Sequence, residues 1–257
     1  MDLSNQISKE YIEEKLKGLP FKIQAEDIVT STNTLMKEHG RNGGEEFSVL
    51  IASAQSGGRG RMGRTFYSPQ NTGVYISILL RPQKGKNPLN ITTDTAVCCA
   101  RVFEKMTGED ARIKWVNDIY MRGKKVSGIL TEASLGENPF AVLGIGINVL
   151  SPKEGFPSDI KSRAGAVFTE DSPFLREEVT SRLLREIFNT YQKPNRPLIF
   201  EEYKKRSMII GKDILILRNN GEESAKAIGL NEDYSLVVEK ENGEIENIGS
   251  GDVSIKI

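Results

Sequence analysis

The stretch from Phe47 to Leu80, FSVLIASAQSGGRGRMGRTFYSPQNTGVYISILL, sets two dense apolar runs around a polar insert. Phe47 to Ala54 and Val74 to Leu80 have strand length and lack the alternation of a half-exposed strand, which predicts two strands of a buried sheet. Gln55 to Asn71, between them, has no periodicity and reads as a loop. At its centre, Gly57-Gly58-Arg59-Gly60-Arg61-Met62-Gly63-Arg64 interleaves glycine with arginine. Glycine lets a backbone approach a ligand closely, and arginine brings a fixed charge with planar donors suited to phosphate or carboxylate. A P-loop would need G-x-x-x-x-G-K-[ST] and a following helix, and neither is present. An arginine–glycine RNA tract is usually longer and lies in a disordered tail. The bland alternative is a mobile surface hairpin loop.

Outward from this loop the elements alternate. Ser8 to Leu16 is a short amphipathic helix, Phe21 to Gln24 a strand, and Thr30-Ser31-Thr32-Asn33 opens a helix through about His39. Ile91 to Met106 is a helix stopped by Gly108. Arg112 to Val116, Ile119 to Met121, Val126 to Ala133 and Phe140 to Val149 read as strands, with a turn at Arg122-Gly123-Lys124. Pro157 to Ser172 is a polar connection, followed by helices at Ser172 to Tyr191 and Leu198 to Arg206. Near Ser207 the texture changes to short strands with polar turns such as Asn219-Asn220-Gly221 and Glu241-Asn242-Gly243, and Gly249-Ser250-Gly251-Asp252 leads into a last strand. The expected fold is α+β: a mixed β-sheet flanked by helices over 1–207, then a small barrel over 208–257.

Charge excludes one class. Lys+Arg and Asp+Glu both number 35, so the chain has no global basic field for gripping nucleic acid. No apolar run is long enough to span a membrane, and Met1 to Gln6 lacks the parts of a signal peptide. Cys98 and Cys99 are adjacent, form no disulfide framework, and read as small buried groups in a reducing, cytoplasmic setting. The lone His39 cannot build a histidine metal site and is read as a helix-end residue.

Three further segments carry chemistry. Lys114-Trp115-Val116-Asn117-Asp118 followed by Lys124-Lys125-Val126-Ser127-Gly128-Ile129-Leu130 brings an amide, a carboxylate and an ammonium together in one hairpin, a set suited to a magnesium nucleotide. The same residues also suit a plain turn and a solvated hairpin end. Ser31-Thr32-Asn33 by itself is a helix cap. Gly144-Ile145-Gly146-Ile147-Asn148 puts two glycines in an apolar strand, which implies a close backbone approach or a bulge, or else contact with adenine or phosphate.

Taken together, S-T-N (31–33), Q-x-x-G-R-G-R-x-G-R (55–64), K-W-x-N-D (114–118), K-x-x-G-I-L (125–130) and G-I-G-I-N (144–148) resemble the biotin–protein ligase (holocarboxylase synthetase) family. The resemblance implies a class II synthetase-like catalytic domain followed by an SH3-like barrel. It implies ATP and biotin as substrates with Mg²⁺, and a biotin carboxyl carrier domain of a biotin-dependent carboxylase as partner. Ser31, Thr32, Asn33 and Gln55, with Gly58 and Arg59 of the loop, would hold biotin. Lys125 would lie at the biotin carboxylate and the α-phosphate. Arg61, Arg64, Phe66, Asn117, Asp118 and Asn148 would face ATP, and Asp118 the metal. Lys125, Arg61 and Asp118 would serve catalysis.

The segment ahead of Ser31 is too short for the helix-turn-helix domain of repressor relatives, so a monofunctional form that binds neither DNA nor membrane is expected. Family members often dimerise, and residues 140–149 are taken as an edge available to a homodimer. Two positions depart from the family: Val116 stands where proline is usual, which would loosen the hairpin, and Phe66 where tryptophan is usual, which would alter stacking. The competing readings are a lipoate–protein ligase, a non-enzymatic nucleic-acid-binding module, and a biotin-binding protein without ligase activity.

Overall fold

The computed structural model describes residues 6–82, 88–135, 138–218, 221–249 and 251–255. Seven strands form a mixed sheet: β1 (Lys22–Val29), β2 (Ser48–Gln55), β3 (Gly73–Leu80), β4 (Arg112–Lys114), β5 (Asp118–Met121), β6 (Lys124–Ser134) and β7 (Phe140–Asn148). Their spatial order is β1-β2-β3-β7-β6-β5-β4. β1 and β2 run parallel, and the other neighbouring pairs run antiparallel. Five helices accompany the sheet: α1 (Lys9–Lys15), α2 (Thr32–Arg41), α3 (Pro88–Thr107), α4 (Leu175–Gln192) and α5 (Arg196–Arg206).

Strand residues alternate faces, and this sheet uses both. Val74, Ile76, Ile78 and Leu80 of β3, with Ala141, Leu143, Ile145 and Ile147 of β7, enter the main core beneath α1, α3 and α4. On the opposite face Leu79, Phe140 and Val142 pack with Leu50 and Met36 under α2. That second cluster covers only part of its face. Beyond it the alternate residues of the same strands are Ser77 and Tyr75, then Gly144 and Gly146, and this uncovered area is the floor of the site.

The strands around the polar loop stand where expected, and three expectations change. Strand β1 runs on from Gln24 to Val29, because Glu26 and Asp27 are tolerated on an edge strand. The strand from Arg112 stops at Lys114, since Trp115 turns inward to donate Nε1–H to the Tyr234 carbonyl at 2.9 Å. Strand β7 is not an edge; it is paired on both sides, with β3 and β6, and the edges are β1 and β4. His39 lies in the last turn of α2 and shares a hydrogen bond with Ser48. Cys98 and Cys99 are free thiols buried in α3, and burial pushes the Cys98 thiol up to about 12. Among the described residues no helix is long and apolar enough to cross a membrane.

The C-terminal strands β8 (Asp213–Arg218), β9 (Gly221–Leu230), β10 (Leu236–Lys240), β11 (Ile245–Ile248) and β12 (Asp252–Ile255) form a separate antiparallel sheet in the order β11-β10-β9-β8-β12. Gly243, at φ 83°, closes the expected turn between β10 and β11. Asn219, Asn220 and Ser250 of the other two expected turns lie outside the described residues. The small sheet is bonded to the large one. Besides the Trp115–Tyr234 hydrogen bond, Tyr203 of α5 packs edge-on against Tyr234 at 5.2 Å and donates its hydroxyl to the Val116 carbonyl at 3.0 Å. Val116 is buried and the Trp115–Val116 peptide is cis. At the position of this departure from the family the side chain is packed in the core and the carbonyl accepts from Tyr203.

Candidate functional site

The floor is a row of positions crossing four strands. Tyr75 pairs with Gly146, Gly146 with Gly128, and Gly128 with Asp118. The next row is Ser77, Gly144 and Leu130. The middle of this surface has no side chains, and neighbouring groups fill the space. A Cβ on Gly146 would come within 2.5 Å of the Phe66 ring, and one on Gly144 within 2.1 Å of Asn33 Oδ1. Of the two structural readings of these glycines, close approach is the one realised; the β7 register shows no bulge.

The bulge lies one strand away. Ile119 pairs with Ser127 and Tyr120 with Lys125, which leaves Val126 as an extra residue in β6. In a regular strand positions 125 and 128 face opposite ways, because the period is two. The extra residue shifts the phase, so that Lys125, Gly128, Leu130 and Glu132 all serve the pocket face while Val126 and Ile129 stay in the core. Lys125 Nζ consequently reaches Asp118 Oδ1 at 2.6 Å and stands 5.8 Å from the centre of the Phe66 ring.

Helix α2 forms one wall. Ser31 caps it, its Oγ accepting from Thr34 N at 3.4 Å, so the residue is a cap and also lines the pocket. Thr32 donates both its N–H (2.8 Å) and its hydroxyl (3.1 Å) to Gln55 Oε1, and Gln55 Nε2 donates to Ser68. This end is polar and uncharged.

The glycine–arginine segment is more ordered than an irregular loop. Ser56 N and Gly57 N donate to the carbonyls of Val29 and Thr30, Phe66 N donates to Gly58 O, and Arg59 bridges Thr65. Met62, at φ 53°, and Gly63, at φ 73°, make the tip, where Met62 is exposed. The segment is thus a short hairpin folded beside the floor. Gly58 is buried behind the wall, where a Cβ would come within 2.4 Å of the Phe66 carbonyl, so its absent side chain serves the fold. Arg61 reaches Asn117 Oδ1 at 3.2 Å and the Gly251 carbonyl at 3.0 Å. Asn117 in turn donates to Ile129 O at 2.7 Å, and Asn148 to Gly165 O at 2.9 Å.

The cavity, which opens to solvent, measures about 840 Å³. Every residue to which the resemblance gives a ligand contact lines it except Gly58. Lys114 of the K-W-x-N-D motif lines it too, and sequence reasoning missed Tyr75, Tyr120, Arg163, Met208 and Gly251, which also line it. Arg163 comes with a polar segment that docks on the start of β6, where Lys125 N donates to Arg163 O and Gly165 N to Lys125 O. Tyr75 donates its hydroxyl to Pro69 O, and burial pushes the phenol up, so it stays neutral. Among the described residues no group of three or more His, Cys, Asp or Glu could hold a metal ion. A neutral end, a bare floor and a cationic end that faces one carboxylate suit an elongated acid joined to a nucleotide.

Residues 26–148 match the Biotin/lipoate A/B protein ligase family. The chain is 31% identical over 245 residues to the bifunctional ligase/repressor BirA of Bacillus spizizenii, covering 90% of this chain and 73% of that protein. It is 30% identical over 184 residues to the biotin–[acetyl-CoA-carboxylase] ligase of Mycobacterium tuberculosis, covering 68% of this chain and 66% of that one. The solved biotin protein ligase from Aquifex aeolicus, in complex with biotin and ATP, superposes with a TM-score of 0.73 at 28% identity, covering 91% of this chain and 98% of that one. The chain belongs to the biotin–protein ligase family.

Proposed function

We propose that this pocket activates biotin with ATP to biotinyl-5'-AMP and then transfers the biotinyl group to a lysine of a biotin carboxyl carrier domain. The observation that carries the reading is the glycine floor joining the neutral Thr32–Gln55 end to the Lys125–Asp118 pair. The ureido ring of biotin would sit at the neutral end, where the Ser31 and Thr32 hydroxyls have acceptor and donor capacity beyond the bonds described. Gln55 orients Thr32, and the backbone beside Arg59 closes that end. The acid tail crosses Gly146 and Gly128 beside Phe66. Its carboxylate arrives at Lys125.

In the first step a carboxylate oxygen attacks the α-phosphorus of ATP. A new P–O bond forms, the α–β bridging P–O bond breaks, and pyrophosphate leaves. An anion is attacking a polyanion, so the barrier is chiefly electrostatic. Lys125 and Arg61 offset that repulsion, Arg64 adds charge on the phosphate side, and Asn117 and Asn148 hold the nucleotide. One carboxylate, Asp118, fits Mg²⁺, which is usually held by one or two carboxylates together with substrate phosphates. When bound there the ion would supply charge neutralisation. In the second step the neutral amine of the carrier lysine attacks the mixed anhydride carbonyl and AMP leaves. The 57–64 hairpin keeps water from the anhydride in the interval.

The direct test incubates the protein with biotin, MgATP and a carrier domain and reads the intact mass of the carrier. Addition of one biotinyl group is expected. No addition with biotin, but addition with lipoate in its place, would refute the reading.

A further inference from the structure

Asn33, named from the sequence as a ligand contact, commits its side chain to the protein. Its Oδ1 accepts from Ser77 Oγ at 2.6 Å, and its Nδ2 donates to Glu132 Oε2 at 3.0 Å and to the Leu130 carbonyl at 3.3 Å. The other Glu132 oxygen accepts from Lys37 Nζ at 2.7 Å. Asn33 and Lys37 stand four apart on α2, so one carboxylate of β6 grips two successive turns of that helix. Gly144 lies directly beneath and leaves Asn33 no slack. Burial works to raise the Glu132 proton affinity, but hydrogen bonds from Lys37 and Asn33 outweigh it and hold the carboxyl below its usual range. Arg59 in the hairpin pulls the same way. The gripped end of α2 is the end that carries Ser31 and Thr32.

We propose that Glu132 is a positioning residue: through Asn33 it sets the first turn of α2 so that the Ser31 and Thr32 hydroxyls meet biotin. This rests on the reading that biotin lies against that wall. This hydrogen bond to a charged group is part-buried, and removing the carboxylate leaves the Asn33 amide to find another partner, which moves the helix end.

The test is steady-state pyrophosphate release by the full chain with the carrier domain at saturating concentration, biotin and ATP being varied separately. Glu132→Ala is expected to raise the KM for biotin about tenfold while the KM for ATP and kcat stay within about twofold. Glu132→Gln, whose amide oxygen still accepts from Asn33, should recover most of the loss. Ser77→Ala, which frees Asn33 from the other side, should move the biotin KM in the same direction, and it stands in if Glu132→Ala does not fold. Equal changes for both substrates with a lowered unfolding temperature would make Glu132 a general structural residue and overturn the proposal. An unchanged biotin KM in both variants would overturn it as well. A wild-type protein that releases no biotin-dependent pyrophosphate would instead sink the reading of the pocket.

Discussion

Lys125 Nζ and Asp118 Oδ1 meet at 2.6 Å across two strands whose register slips by one residue between them. The contact exists because Val126 is extra. Lys125→Ala leaves the bulge and the core intact, since Val126 carries the packing. It is expected to reduce biotin-dependent pyrophosphate release by about a hundredfold or more while the unfolding temperature changes little. Release within a few fold of wild type would remove Lys125 from the reaction.

The hairpin at 57–64 is expected to govern retention of the intermediate more than its formation. Arg59→Ala should still make biotinyl-adenylate but release it into solution, visible by quenched-flow chromatography of free and bound adenylate. Retention equal to wild type would end the idea of a lid.

The bare floor makes its own prediction. Gly146→Ala places a methyl within 2.5 Å of the Phe66 ring, which must shift away from the floor and into the cavity it lines. Overpacking of this kind costs about 1–3 kcal/mol. Urea unfolding should report that loss, and substrate KM values should rise with it.

Trp115→Phe tests the bond between the two sheets. It removes the Nε1–H that the Tyr234 carbonyl accepts in a buried setting. A loss of about 1–3 kcal/mol is expected from the orphaned acceptor and the smaller ring. Unchanged stability in denaturant would show that the two sheets do not depend on this bond.

Acid should loosen the α1–α4 contact. The Tyr11 hydroxyl, with Lys15 and Arg182, holds the Glu178 carboxyl down at about 2, against an ordinary 4.5. A depressed carboxyl stabilises the fold fully above its unfolded value, and the contribution fades as pH falls from about 4.5 toward 2. Glu178→Gln should flatten the fall in stability over that window; an identical slope in wild type and variant would contradict this.

Much of this was legible in advance, for identifiable reasons. Strands β2 and β3 announce themselves as apolar runs, α3 by its period and its Gly108 stop, and the pocket by paired oddities: glycines where strands want side chains, and arginines where loops need none. What escaped was phase. Nothing in Lys124-Lys125-Val126-Ser127-Gly128 reveals which residue bulges, and that choice decides which residues face the pocket. Glu132 carried a faint signal, a charge in an apolar strand at even spacing from Gly128. Arg163 and Gly251 carried none, because they are remote in sequence and arrive by tertiary docking. The 140–149 edge was misjudged for a related reason: a strand's neighbours are set by connections that its own residues do not encode.

Arg61 donates to the carbonyl of Gly251, and Leu217 and Val253 close the same cavity. During synthesis, the Ser31–Gln55 side of the pocket leaves the ribosome long before these last wall residues. The last strands of the chain thus complete a pocket whose other walls were made largely by residues up to Asn148, so the two ends of the sequence meet in one cavity.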